Sequence, residues 1–444
     1  MKVRSLILVA FLLVPVFASA QDSGIAKTGS YYSSIGFGAP ADSYSSYTLG
    51  IGLPGVSVYS PYAASTTNPA QWGLVDFTQG QITMGLTNFE ASDNVSSAKN
   101  SLFAFENIQI VLPIKRNRLG ASVSFTPVTR ADYTRTEDGS IMPTDLFDEI
   151  EYRSVTTGTG GVNRLELGLG YKLNDNFSLG YAGSVYLLSM EENELIGFSN
   201  NQFNRPTAGS PPVDITNSIT GSGVGNRFGF FSRFAGVLSS NDRLFLGSTV
   251  TLPVNIDGDR SVETFRTVNN QSTRVELNEN SESRGGNITL PLEFNAGLTY
   301  YLNSAHSITT ELQFQNWNDA AYSYNESQQQ YFTDRTKFGM GYEYHPYLRE
   351  QNQQGFFSNF KYSLGATFDD GFLSIDDQDI ETMMLHAGIS IPGRRTQRSW
   401  PSVDLSFNYG IRGTESNNLV KENIWGFKLS LNLAELMFLQ QRFQ

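Results

Sequence analysis

The 444-residue chain has no cysteine, which excludes disulfides, thiolate metal sites and cysteine nucleophiles. Histidine is almost as scarce, with only His306, His345 and His386, a poor supply for imidazole metal centres or acid–base catalysis. No G-x-S-x-G, H-E-x-x-H or P-loop pattern occurs, so no catalytic residues, cofactor or metal are expected. Charged residues make up only 17%, and acids outnumber bases, 43 against 31. That balance argues against nucleic acid, which requires clustered Lys and Arg on a phosphate-facing surface. Beyond residue 20 there is no apolar run of about 18 residues, so no transmembrane helix is expected in the mature chain.

The first 20 residues do form an apolar segment, of another kind. Lys2 and Arg4 precede the run Leu6 to Phe17, and Ala18-Ser19-Ala20 ends it with small residues. A basic start, a short apolar core and an A-x-A end are the pattern of a cleaved signal peptide over 1–20, with Gln21 as the new N-terminus. The chain as a whole is rich in Gly (41), Phe (31) and Tyr (21), a β composition rather than a helical one.

Alternation is the dominant pattern of the mature chain. Leu165, Leu167, Leu169, Tyr171 and Leu173 interleave with Arg164, Glu166, Gly168, Gly170 and Lys172. The same period of two runs through 290–300, 403–411 and 425–433. A period of two sends alternate side chains to opposite faces of a strand. Segments of about 10 residues are long enough to cross a bilayer at the tilt of a barrel strand. About fourteen segments are countable, starting near residues 80, 102, 118, 163, 176, 226, 243, 289, 306, 335, 358, 381, 401 and 424. Connectors at 113–118, 174–175, 239–242 and 303–305 are short; 129–162, 189–225, 254–288 and 316–334 are long and polar. Short and long largely alternate, as periplasmic turns and extracellular loops do, although 346–357 and 392–400 are long for turns. Alternation breaks near Asn107, which suggests a bulge there. The expectation is an all-β, transmembrane antiparallel barrel of about 14 strands over 79–444. A soluble sandwich fits less well, because its strands are shorter.

Residues 21–78 lack sustained alternation, yet they contain Tyr59, Tyr62, Trp72 and Leu74. A barrel of about fourteen strands is too wide for its own side chains to fill. This apolar segment is therefore expected to fold inside as an N-terminal hatch, or plug, of the lumen.

Several short stretches together resemble the FadL/TodX-type outer-membrane transporters of hydrophobic compounds, especially their relatives in Bacteroidetes-like bacteria. They are Ser30-Tyr31-Tyr32-Ser33-Ser34-Ile35-Gly36-Phe37-Gly38, the hatch motif Asn68-Pro69-Ala70, Thr289-Leu290-Pro291-Leu292-Glu293-Phe294, and Asn316-Trp317-Asn318. The resemblance implies a fourteen-stranded barrel, a hatch, and passive diffusion of ligand through pockets between loops and hatch. It also implies exit beside an inward kink in the third strand, here Arg118 to Val128, where Gly120 and Pro127 disturb pairing. The end departs from the usual terminal aromatic, since Gln444 follows Phe443.

Charges on the polar faces of the segments, Arg118, Arg164, Glu166, Lys172, Arg233, Glu293, Glu311, Glu343, Asp404 and Lys428, are expected to face the lumen, because charge toward lipid is costly. There they pair with one another or hold the hatch; recognition of a ligand head group is the sharper alternative. Phe147, Tyr152, Phe198, Phe203, Tyr322 and Tyr324 of the long loops either pack the loops together or form the candidate ligand pocket. The acidic run from Asp369-Asp370 to Asp376-Asp377-Gln378-Asp379 reads as a solvated extracellular loop, or as a cation bridge to lipopolysaccharide. Gly50, Gly52 and Gly55 have the letters of a dinucleotide fingerprint. Pro54 and the absence of a following helix pattern mark them instead as turn glycines of the hatch.

The function expected is passive uptake of small hydrophobic compounds such as long-chain fatty acids across the bacterial outer membrane. Outer-membrane lipids, lipopolysaccharide and the small hydrophobic ligand are the expected partners. The alternative is an outer-membrane structural or secretion-associated barrel acting through protein partners; an enzyme is disfavoured. Oligomeric state is not legible.

Overall fold

The computed structural model describes residues 29–42, 44–141, 150–199, 212–268, 271–274, 284–346, 355–393 and 399–436. The expected signal peptide, Phe443 and Gln444 lie outside the described residues. Fourteen strands close into one antiparallel barrel. In chain order they are β1 (Thr78–Ser92), β2 (Ser97–Lys115), β3 (Leu119–Pro127, resuming as Tyr133–Ile141), β4 (Ile150–Lys172), β5 (Phe177–Ser199), β6 (Val213–Ala235) and β7 (Arg243–Thr251, resuming as Val254–Val268). They continue as β8 (Arg284–Leu290, resuming as Glu293–Tyr301), β9 (His306–Gln315), β10 (Arg335–Tyr344), β11 (Lys361–Asp369), β12 (Thr382–Pro392), β13 (Ser399–Arg412) and β14 (Lys421–Glu435). Neighbours in sequence are neighbours in the ring, and β1 closes it on β14 through fifteen aligned pairs, from Thr78↔Glu435 to Ser92↔Lys421.

The period of two sorts side chains between lipid and lumen. Leu167 is 63% exposed on the outer wall, while Glu166 beside it is 1% exposed inside. On β14, Trp425, Phe427, Leu429 and Leu431 face out, and Ser430, Asn432 and Ala434 are buried inside. Among the described residues no helix is long and apolar enough to cross a membrane; the strands do the crossing. Their outer faces form the continuous apolar band that lipid requires.

Three strands break at a proline: β3 after Pro127, β7 at Leu252-Pro253, β8 at Pro291-Leu292. Proline has no N–H for the ladder, and each break also reverses which parity faces inward. On β7, Thr249 and Thr251 are buried in the lower half, but Val254 and Ile256 in the upper half. On β8, Asn295 and Thr299 face in below the break, whereas Ile288 and Leu290 are buried above it. The expected uninterrupted alternation over 290–300 is thereby corrected: Leu290 turns into the lumen and Phe294 toward lipid. The bulge expected near Asn107 is present. Between Thr83↔Asn107 and Met84↔Phe105 the register slips by one residue, leaving Glu106 extra on β2.

Two further expectations are corrected. The connectors 129–162, 189–225 and 254–288 are largely strand, since β4, β5 and β6 each run 23 residues. Past the bilayer both faces of a ribbon are wet, so pairing persists while apolar alternation fades. Arg118 does not enter the lumen. It lies in the exposed turn before β3, its guanidinium 5.9 Å from the ring centre of Tyr171.

Residues 29–77 fill the lumen as the N-terminal plug. They start at the long-loop end, where Asn100 donates to the carbonyl of Gly29, and finish at the short-turn end, where Asn117 N–H bonds the carbonyl of Val75. A 3-10 turn, Pro69–Leu74, lies against β4, β5, β6 and β3 and is buried at every residue. Glycines in the wall make this approach possible. A Cβ on Gly180 would lie 2.2 Å from the Pro69 carbonyl carbon, and one on Gly170 2.4 Å from the Gly73 nitrogen. These wall positions are seats for plug backbone, and no larger residue fits them.

Candidate functional site

The motif Asn68-Pro69-Ala70 is the cap of that 3-10 turn. The Asn68 Oδ1 accepts from Ala70 N–H (3.0 Å), and Nδ2 donates to the carbonyls of Val56 (2.8 Å) and Phe230 (3.0 Å). Pro69 follows at the first position, where a missing N–H costs nothing. One short motif thus caps a turn, ties two parts of the plug together and fastens both to β6.

Charges around the ring complete the attachment. Glu311 on β9 accepts from Gly55 N–H (2.8 Å) and Ser57 N–H (3.1 Å). Glu422 on β14 accepts from Ser30 Oγ and Tyr31 N–H, both at 2.7 Å. Arg227 on β6 bridges Glu166 and the Thr66 carbonyl, and Arg164 lies 3.8 Å from Glu166. Glu343 pairs with Lys361 at 2.6 Å, and Lys361 also reaches the Tyr47 carbonyl. Glu293 takes Asn295 and Gln315, while Arg233 donates to the Asp175 carbonyl. Sequence reasoning missed the strongest clamp, in which Asp42 of the plug meets Arg335 and Lys337 of β10. Burial alone would raise the Asp42 carboxyl, but those two cations outweigh it and hold the group well below the usual carboxylate range. Asp369 belongs to this clamp as the second partner of Arg335. It is 8% exposed, so the acidic run is not one solvated loop. Asp376 and Asp377, by contrast, form the tip of a small hairpin, both with positive φ.

Toward the long-loop end the plug meets an aromatic chamber, filled in this structure by its own packed side chains. The Phe37 ring stacks on Trp317 (centroids 5.3 Å apart) and packs edge-on against Phe332 (5.6 Å), with Phe372 beyond Trp317. Ile256, Ile288 and Leu290, turned inward by the proline breaks, supply the aliphatic wall. Tyr322 and Tyr324 from the candidate pocket belong here, 5.9 Å apart. Tyr152 and Phe198 pair with each other at 6.5 Å on the extended β4–β5 ribbon and do not join this chamber. Phe147 and Phe203 lie outside the described residues. Beside the chamber a cavity of about 90 Å³ runs past Ser33, Tyr133, Glu192 and Tyr322.

The wall is incomplete next to this chamber. The β2–β3 ladder ends at Ile108↔Phe125, and among the described residues the outer half of β3 is laddered to β4 alone. Between the halves of β3, Thr129 and Arg130 pair instead with Pro40 and Ala39 of the plug. Ser33 Oγ bonds the Asp132 carbonyl (2.7 Å), and Arg130 bonds the Phe105 carbonyl (2.7 Å) and lies 3.6 Å from Glu106. The kink in the third strand therefore falls between Pro127 and Tyr133, and plug residues stand where a neighbouring strand would.

The architecture is shared with solved barrels of low sequence identity. A Pseudomonas aeruginosa FadL homologue superposes with a TM-score of 0.55 at 12% identity, covering 90% of this chain and 99% of its own. The Pseudomonas putida toluene transporter TodX gives 0.54 at 12%, covering 90% and 100%. The Ralstonia pickettii toluene transporter TbuX gives 0.52 at 13%, covering 89% and 99%. No curated protein matches the chain. One family model, described as BamG, matches residues 2–444. A match of that extent decides membership: the chain belongs to the BamG family.

Proposed function

We propose that this barrel is an outer-membrane channel for passive uptake of small hydrophobic compounds, long-chain fatty acids among them. The carrying observation is the aromatic chamber on the plug, Phe37 against Trp317, enclosed by strands whose proline breaks turn aliphatic side chains inward. Apolar walls with few polar anchors suit apolar ligands. The fold shared with two toluene transporters and a FadL homologue supports the reading. In it, long loops face outward from the cell, short turns face the periplasm, and residues 1–20 direct export.

Ligand enters between the loops and displaces Phe37, the plug ring that stacks on Trp317. Its differential affinity for the displaced arrangement shifts the population. Exit runs sideways through the wall at Pro127–Tyr133, once Ala39 and Pro40 leave Thr129 and Arg130. The test is flux of a fluorescent fatty acid into proteoliposomes. Phe37→Ala, which vacates ring volume in the chamber, is expected to raise the flux several-fold. Equal flux through wild-type, variant and protein-free liposomes overturns the reading.

A further inference from the structure

At the short-turn end the lumen opens into a cavity of about 730 Å³, within the range of roughly 300–1,000 Å³ typical of ligand sites. Its wall is a patch built on three neighbouring strands. Arg243 and Phe245 stand on one face of β7; Tyr301 on β8 is directly across from Arg243, and Arg233 on β6 directly across from Phe245. The Arg243 guanidinium lies 4.9 Å from the Tyr301 ring centre and 6.0 Å from that of Phe245. Tyr59 of the plug and Trp400 of β13 continue the aromatic lining.

Cation and carboxylate are not balanced here. Among the described residues neither Arg233 nor Arg243 has a carboxylate within salt-bridge distance. Of the carboxylates nearby, Asp76 of the plug lies within electrostatic reach of Tyr59 and Asp175 within that of Arg233, and three are bound to other partners. Asp175 pairs with Lys172, Glu343 with Lys361, and Asp242 accepts three backbone N–H groups and the Tyr300 hydroxyl. Two guanidinium groups over an aromatic floor fit an anion that carries an apolar tail, because Arg presents a fork for carboxylate and a flat face for rings.

We propose that this mouth binds amphipathic monoanions, the carboxylate between Arg233 and Arg243 and the tail along Phe245, Tyr301 and Tyr59. The site deepens the uptake reading, on which its role as a second, lumenal stop for anionic cargo rests. Its occupancy is a separate matter of equilibrium binding.

The native tryptophans read the two sites separately. Trp317 lies in the aromatic chamber, Trp400 in this mouth. In full-length protein with Trp72 and Trp425 replaced by Phe, held in nanodiscs of zwitterionic lipid, bromododecanoate is titrated and tryptophan quenching followed. Trp317→Phe and Trp400→Phe assign the signals. Saturable quenching of Trp400 is expected. Its Kd should rise about tenfold in the Arg233→Gln/Arg243→Gln double variant, as loss of a charge-assisted contact predicts, and recover partly with Lys at both positions. Bromododecanol should bind this mouth no better than the double variant binds the acid. Trp400 quenching that does not saturate, or that is equal for acid and alcohol, overturns the proposal. Quenching of Trp317 alone leaves the uptake reading standing without this site; quenching of Trp400 alone does the reverse.

Discussion

Arg335 and Asp42 meet in a two-pronged pair, Nη1 to Oδ1 and Nη2 to Oδ2, each at 3.0 Å. One residue belongs to the wall and the other to the plug, and both are largely buried. Removing Asp42 leaves Arg335 with Asp369 but strands Lys337, and an uncompensated buried charge costs about 3–5 kcal/mol. Asp42→Ala is therefore expected to lower the urea midpoint of the folded barrel and to expose the plug to protease. Arg335→Met and Lys337→Met combined with Asp42→Leu and Asp369→Leu should recover most of that loss. A barrel as stable with Asp42→Ala as without it would show that the pair does not hold the plug.

The same pair sets a pH window. Asp42 titrates lower folded than unfolded, so its contribution is complete above the unfolded value of about 3.9 and fades as pH falls toward the folded one. Protease resistance of the plug is expected to be flat through neutral pH and to fall only in stronger acid. A midpoint near neutrality would point to another anchor.

Wall glycines offer a harsher perturbation. Gly180→Val places carbon against Pro69 backbone, the nearest atom 2.2 Å from the Cβ, and backbone has no rotamer by which to give way. The variant is expected to fold with a displaced plug and to conduct small ions in planar bilayers. Gly80, whose Cβ would meet nothing within 4 Å, should accept Ala with conductance unchanged.

At the gap in the wall, Arg130→Ala removes the bond to Phe105 and the pair with Glu106. If ligand leaves there, its flux should rise several-fold while equilibrium binding stays constant. Unchanged flux would direct attention to the short-turn mouth as the route out.

Phe356 and Phe357 are each 71% exposed at the short-turn rim, beside the lipid-facing Tyr362, whose hydroxyl bonds the Phe357 carbonyl. Aromatic side chains in that place belong at the bilayer interface. A Trp substituted for Phe356 is expected to be quenched by lipid brominated near the head group. Insensitivity to such lipid would place the rim in water.

How much of this was legible depended on what lipid demands. The starts of β7, β9 and β10 coincide with those read from alternation at 243, 306 and 335. A strand crossing hydrocarbon must be apolar on one face, and that constraint is written at every second residue. Beyond the bilayer it lapses, so the far halves of β4, β5 and β6 passed for loops. The prolines at 127, 253 and 291 were visible, but not that each reverses the inward parity; that depends on residues spent in the break. Asn68-Pro69-Ala70 carried its cap in its letters. Asp42 carried nothing, because its partners lie 293 and 295 positions away and no local pattern marks them. Asp369 was misread for the same reason: beside Asp370 it looks like a wet loop, and only Arg335 across the ladder makes it interior.

The glycine seats bear on the order in which the molecule is assembled. Gly170 and Gly180 leave furrows that only plug backbone fills, and Glu311 and Glu422 end on plug N–H groups. A ring closed on an empty lumen would strand those carboxylates. The ring closes where β1 meets β14, the first strand with the last, so the plug is already synthesised when that seam can zip. Folding is then a casting around a core: the N-terminal segment serves as the mandrel, and the wall takes its final register against it.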